Sequence, residues 1–356
     1  MSRAAVALDH VAFLTPGNFV DDDPRAGLEN TLRLFQRGEK LGFDSAWIRQ
    51  RHLEPGVSSA SVFLAAATQR THRIELGTAV IQMGHENPFR LAEDLATVDV
   101  LSGGRLQVGV SAGPPALAGL LGTRFLDGDG VGVDYSHRRV ARLADNLRGD
   151  FIGDPDAIIV SAAGRLRPRL HPHTEGLHDR LWYGGGSLRS AAWAGQNGFN
   201  LLIGNIVTGE RTDEFEVAQL RHLDIYRAGW NALRQPRVAL GRVIVPTDSA
   251  DETTRRRYRS YAESRRERAL APQGERRTLF ARDLVGPAEE ILEALFRDRV
   301  LAQVSELRLE LPYNFQPDEY LQGLTDFIGL IAPELGWKPR ELGPLAITQE
   351  TASVEM

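Results

Sequence analysis

Short apolar runs and amphipathic stretches alternate along the whole chain. The runs Val6–Leu14, Ser45–Ile48, Ile74–Ile81, Leu106–Val110, Leu181–Tyr183, Leu201–Ile203, Val238–Val245 and Glu306–Leu311 read as strands. Between them, Leu28–Leu41, Ser59–Arg70, Pro88–Leu101, His137–Leu147, Leu188–Gln196, Asp213–Leu233, Ala250–Arg268 and Pro317–Ile331 carry helical spacing. Leu28, Leu32, Phe35 and Leu41 recur on one face, Gly42 supplies a stop, and Pro88 suits a first helical turn. Strand-then-helix repetition requires a parallel sheet, because every return crossing is a helix. About eight such units predict an α/β fold, a single (β/α)8 TIM barrel, with an open doubly wound sheet as runner-up. The open sheet would want Gly-x-Gly-x-x-Gly after its first strand. The chain has Thr15-Pro16-Gly17-Asn18 there, which favours the barrel.

Three segments break the rhythm. Residues 113–135 and 153–180 lack helical period, the second with a small hairpin expected near Ala157–Ala162, and Pro272–Pro287 links two helical stretches. The first two are expected as insertions over the C-terminal face of the barrel, where binding loops sit. The expected organisation is a barrel over residues 1–340 and a C-terminal tail at 341–356.

Composition removes several chemistries. The chain has 356 residues and no cysteine, which excludes disulfides, thiolate nucleophiles and cysteine-ligated metal clusters. A net charge of −5 offers no broad basic face for nucleic acid. Lysine stands only at Lys40 and Lys338, neither in a Gly-Lys-Ser/Thr context, so a P-loop is excluded. The first residues lack a signal-peptide core, and no run approaches the ~18 apolar residues that span a membrane. A soluble cytoplasmic protein is expected.

A barrel places its chemistry at the C-terminal ends of its strands. Strand position alone nominates Thr15, Arg51, His52, Glu54, Gln82, His85, Glu86, Asn87, Ser111, Gly184–Ser187, Asn205 and Glu310. In Gly184-Gly185-Gly186-Ser187-Leu188-Arg189-Ser190, three glycines follow a strand and open a helix, with two hydroxyls one turn apart. Exposed amides at a helix start bind phosphate, and the same string also serves as a tight turn with Ser187 as cap. His52 with Glu54, and His85 with Glu86, are candidate acid–base pairs or capping and surface residues. His171-Pro172-His173-Thr174-Glu175 reads as a solvated loop rather than a metal site, since Pro172 denies it regular ligand geometry. Gly109-Val110-Ser111-Ala112-Gly113 matches a hydrolase elbow as a string, but Pro114 and Pro115 follow where a helix is needed.

Several motifs in order carry a family resemblance. Glu39–Trp47, Thr71–Ile81, Asn87–Thr97, Leu101–Val110 with its Ser102-Gly103-Gly104-Arg105 turn, Trp182–Gly198 and Gly286-Pro287-Ala288-Glu289-Glu290 resemble the luciferase-like flavin-dependent monooxygenases. The resemblance implies a barrel that binds reduced FMN, supplied by a separate flavin reductase. With O2 it would act on a small organic substrate through a C4a-(hydro)peroxyflavin, in a homodimer with no nucleic-acid or membrane partner. It implies phosphate contacts from Ser187, Ser190 and Arg138, backed by Gly185 and Gly186, and a non-prolyl cis peptide at Ala79–Val80 beneath the flavin ring. Gln82, Asn87 and Ser111 fall near the flavin, and His52, with Arg51 and His85, at the reacting end. Two positions depart from the family pattern. Arg51 replaces the first of two adjacent histidines, and Ala112 stands where a phosphate-binding arginine is expected. F420-dependent hydride transfer on the same barrel and a non-catalytic flavin-binding protein are the alternatives.

Overall fold

The computed structural model describes residues 6–115, 117–126, 132–162 and 164–339; the expected tail at 341–356 lies outside them. Eight parallel strands close into a barrel: β1 His10–Thr15, β2 Ser45–Ile48, β3 Glu75–Gln82, β4 Leu106–Ser111, β5 Leu181–Gly184, β6 Asn200–Ile203, β7 Val238–Arg242 and β8 Glu306–Glu310. Each strand pairs with its sequence neighbour, and β1 closes the ring on β8 with His10 opposite Glu306. The helices are α1 Pro24–Leu41, α2 Ala60–Thr68, α3 Pro88–Ser102, α4 His137–Leu147, α5 Leu188–Gln196, α6 Phe215–Ala228, α7 Glu252–Ser264, α8 Ala288–Arg297 and α9 Pro317–Asp326. Gly42 and Gly103 stop α1 and α3 in the left-handed region, at φ 94° and 70°, where only glycine is unstrained. Asn87 caps α3, its side-chain oxygen accepting from the amides of Phe89 and Arg90.

The strand reading holds at all eight positions and errs at two ends. The first strand starts at His10. The run Val238–Val245 is broken: β7 ends at Arg242, and Ile244–Pro246 leaves the barrel to pair with Leu284–Gly286. Apolar residues continue past the rim because Val243 and Val245 pack in a second cluster with Ala250, Tyr258 and Phe315. Helix α8, absent from the periodicity reading, buries Ala288, Ile291 and Leu295 in the main core.

One expectation about the loops is corrected. The segment 153–180 does not lie over the C-terminal face. It follows α4 and precedes β5, so connectivity holds both its ends at the opposite face. Arg180 seals it there, donating to the carbonyls of Gly104 and Leu106 at the start of β4 and to the Asp99 carboxylate at 2.6 Å. Its hairpin is Ile159–Ser161 with Gly164–Leu166. At the mouth stand instead the ribbon of Ile206–Thr208, just after β6, with Thr278–Phe280, and the α7 region, which follows β7.

Side chains of alternate strand residues fill the barrel. Ala12, Leu14, Trp47, Ala79, Trp182, Leu202 and Ala239 form one enclosed cluster, with the Trp47 and Trp182 rings edge to face at 5.6 Å. Large rings fit because neighbours are small. A Cβ on Gly77 would stand 2.2 Å from the Trp47 ring. Gly77→Ala is therefore expected to destabilise the fold by about 1–3 kcal/mol through overpacking. The check is a urea unfolding curve, in which the midpoint falls while the slope is unchanged.

Candidate active site

The ends of β3, β4 and β5 adjoin, so their loops build one wall of the mouth. The Ala79–Val80 peptide is cis, as the resemblance implied. It lies where the β3–β4 register slips between Thr78 and Ile81, and the Thr78 hydroxyl bridges both backbone groups of Gly109 at 2.9 Å. Val80 leans over Gly184, whose missing Cβ would stand 2.6 Å from Val80 Cγ1. Gln82 and Ser111 are register partners at the rim.

Beyond β5, Gly184–Gly186 leads into α5. Ser187 caps this helix, accepting from the Ser190 amide at 3.1 Å and donating to the Ser190 hydroxyl at 2.9 Å. A Cβ on Gly186 would find nothing closer than Thr208 Oγ1 at 4.0 Å, so the loop is an open cradle. The first amide of the helix, Leu188 N–H, donates to the Glu210 carboxylate at 2.9 Å. The hydroxyl of Tyr183 accepts from the Ala112 amide. His137, at the start of α4, stacks on Trp193 at 4.6 Å, and its Nε2 is buried without a hydrogen-bond partner. Arg138, expected at this site, points into solvent and pairs with Asp134 at 3.0 Å.

Two loops meet on the other flank of β3. The His52 and His85 rings stack at 3.7 Å, although nothing in their spacing signals contact. Gln50 organises them: its oxygen accepts from the Ala60 amide, and its nitrogen donates to Glu86 at 2.9 Å and to His52 Nε2 at 3.1 Å. With Nε2 accepting, the His52 proton is assigned to Nδ1. Burial pushes the His52 imidazole below its ordinary range. His85 falls to about 4, from burial and then from His52 beside it. Burial raises the Glu86 carboxyl, and the Gln50 amide works against that rise. The cluster therefore presents two neutral imidazoles at neutral pH next to a carboxyl held above its usual range, a set suited to proton transfer.

Other predicted residues go elsewhere. Arg51 turns away from the histidines and donates to the Tyr313 hydroxyl. Asn87 uses its oxygen as the α3 cap, and Glu54 reaches Arg51 only at 3.9 Å. Gln50, Tyr183 and His137 escaped the sequence reading, because each acquires its role from a partner on another loop. Arg308 also escaped it, although Glu306-Leu307-Arg308-Leu309-Glu310 alternates charged and apolar residues as a strand with charges facing inward should.

The sequence model of the luciferase-like monooxygenases matches residues 9–303. The chain belongs to the luciferase-like monooxygenase family. It is 32% identical over 168 residues to 4-hydroxyprotoasukamycin monooxygenase of Streptomyces nodosus subsp. asukaensis, a match covering 44% of this chain and 43% of that one. The chain thus spans less than half the length of this curated relative. Among solved structures, the oxygenating constituent of 3,6-diketocamphane monooxygenase from Pseudomonas putida, in complex with FMN, superposes with a TM-score of 0.64 at 15% identity. That match covers 93% of this chain and 99% of that one. An F420-dependent secondary alcohol dehydrogenase superposes with a TM-score of 0.61 at 17% identity, covering 92% and 99%. These likenesses support the luciferase-like fold. Among the described residues, no helix is long and apolar enough to cross a membrane.

The histidine cluster yields a prediction. The folded protein holds His85 neutral, whereas the unfolded chain takes up that proton near pH 6.5. Its contribution to stability is complete above about pH 6.5 and is lost as pH falls toward about 4. NMR titration of the imidazole protons is expected to give a His85 midpoint near 4, rising in His52→Gln as the neighbouring charge is removed.

Proposed function

We propose that this chain binds reduced FMN along the β3–β5 wall and uses it, with O2, to monooxygenate a small organic substrate. The Gly184–Ser190 loop carries this reading. It offers an open cradle and two hydroxyls at a helix start whose first amide holds the Glu210 carboxylate, an anion that a phosphate monoester would displace. Ser187, Ser190, Gly185 and Gly186 would hold the phosphate, with Arg138 free to swing from its exposed pair with Asp134. Ala79, Val80, Gln82 and Ser111 would bear the ring, and Asn87 keeps its amide nitrogen for the ring edge. When bound, reduced FMN supplies the electrons that activate O2.

The chain's own residues supply protons and exclude water. His52, fixed through Nε2 by Gln50, presents Nδ1 as the group that gives or takes a proton at the reacting end. His85 covers its face and Glu86 holds Gln50 in place. Arg51 adds positive charge at the same end. The ribbon at 206–208 and 278–280 would shield the site from solvent. A separate flavin reductase would deliver the cofactor, and a homodimer is the proposed assembly.

The likeness to an F420-dependent enzyme supports a second reading on the same barrel, hydride transfer without oxygen. One titration separates the two: fluorescence quenching with FMN, reduced FMN and F420, followed by oxygen uptake with each reduced cofactor. FMN selectivity with oxygen uptake supports the monooxygenase, whereas F420 binding without it supports hydride transfer. Binding of neither cofactor overturns both.

Two substitutions test the residues. Ser187→Ala with Ser190→Ala is expected to weaken FMN binding about tenfold or more, through loss of charge-assisted hydrogen bonds. His52→Ala is expected to lower turnover by about a hundredfold or more while leaving FMN affinity near that of the parent. Stopped-flow turnover beside equilibrium titration reads both.

A further inference from the structure

Across the mouth from the phosphate loop lies a second cluster, of which the flavin reading uses Arg51 alone. In the ring of strands, β2 and β8 flank β1, which stands opposite β5. Glu310, at the end of β8, is buried between two arginines. Arg49 Nη2 lies 2.9 Å from its Oε2 and Arg308 Nη2 lies 3.7 Å from its Oε1. The Arg308 side chain is 3% exposed and stands over the Trp47 ring at 5.5 Å. Its Nε and Nη1, and Nε of Arg49, are buried without hydrogen-bond partners. Arg49 and Arg51 both lie over the ring of Tyr313, at 5.5 and 5.2 Å, and Arg51 also donates to its hydroxyl.

The charges do not balance. Arg49 and Arg308 share one buried carboxylate, and Arg51 joins them through Tyr313; of the other carboxylates near them, Glu306 is held by Arg237 at 2.6 Å, and Glu54 is 60% exposed and 3.9 Å from Arg51. Burial pushes Arg308 down to about 10, which still leaves it charged at neutral pH. A desolvated cation with unmet donors needs an anion or bound water. Arg49 and Arg51 are 22% and 32% exposed, so a ligand entering the mouth can reach them while Arg308 backs them from below. Tyr313 supplies a flat apolar wall, and the peptide chain from Arg51 to His52 joins this cluster to the proton-transfer pair.

We propose that the substrate is an organic carboxylate with an apolar or aromatic body, its carboxylate held by Arg49 and Arg51 beside Tyr313. This assignment rests on the flavin reading for its chemistry, but not for its binding. A bound carboxylate would lie at the opposite pole from the phosphate loop, with the body of the substrate extending toward His52. The cluster thus selects for charge at one end and leaves the apolar end to the reaction.

The test is isothermal titration of the full chain, with and without FMN, using phenylacetate and its neutral counterpart 2-phenylethanol as probes. Phenylacetate is expected to bind about tenfold or more tightly than the alcohol at low salt, a preference that shrinks as salt is raised. Arg49→Met and Arg51→Met should each erase most of the preference. Glu310→Gln should strengthen phenylacetate binding, since it frees Arg49 from its present partner. Arg51 is at the rim, so its variant keeps the test open if Arg49→Met fails to fold. Equal binding of acid and alcohol, binding of neither, or a preference that survives both arginine variants overturns the proposal. So does a chain in which these arginines change only the affinity for reduced FMN. FMN binding without carboxylate preference sinks this inference alone; carboxylate preference without flavin binding upholds the anion site and sinks the flavin reading.

Discussion

Trp47 and Trp182 meet edge to face inside the barrel, and the strands around them give up side chains to make room. A Cβ on Gly77 would collide with Trp47, one on Gly109 would stand 2.8 Å from Leu202, and one on Gly241 would meet Glu310 at 2.1 Å. Large inward residues on some strands are matched by glycine on their neighbours, which is how a closed interior reaches the density of a folded core without strain. The floor of the mouth is the top of this packing, so the shape of the site follows from the same volume balance.

That balance also sorts the polar groups by depth. Near the strand starts, Arg237 is bonded to Glu306 at 2.6 Å and lies over Trp182, while Gln107 accepts from the Trp182 indole and Ser45 from that of Trp47. These groups satisfy one another and hold the rings in place. Near the strand ends, satisfaction is incomplete. His85, His137 and Arg308 each keep a buried nitrogen without a partner. Buried polar atoms are normally paired, so unpaired ones beside the mouth are candidate partners for a ligand.

The barrel strands and most of the helices were legible in the residues, because period and punctuation are local properties. Alternation in Leu106–Val110, the Gly42 and Gly103 stops and Pro88 at a first turn each need only a few neighbours to act. The candidate site was legible where one segment builds it alone, as at Gly184–Ser190. It was not legible where two segments must meet. His52 and His85 are 33 positions apart and stack only because Gln50 and Glu86 pin their loops together. Arg51 turned toward Tyr313 rather than the histidines for the same reason, since its partner comes from the loop after the last strand.

Apolar periodicity, helix stops and the run of glycines before Ser187 therefore determined by themselves that the chain is a (β/α)8 barrel with a glycine-rich turn into a helix after its fifth strand. They also determined which residues stand at the rim. Tertiary structure alone decided that 153–180 lies away from the mouth, that the α7 region stands at it, and that Arg49 and Arg308 meet at Glu310. The physical reason is range. Backbone preference and amphipathic spacing act within a few residues, whereas burial, charge pairing and ring stacking depend on closure of the barrel, which brings the first and last strands into contact.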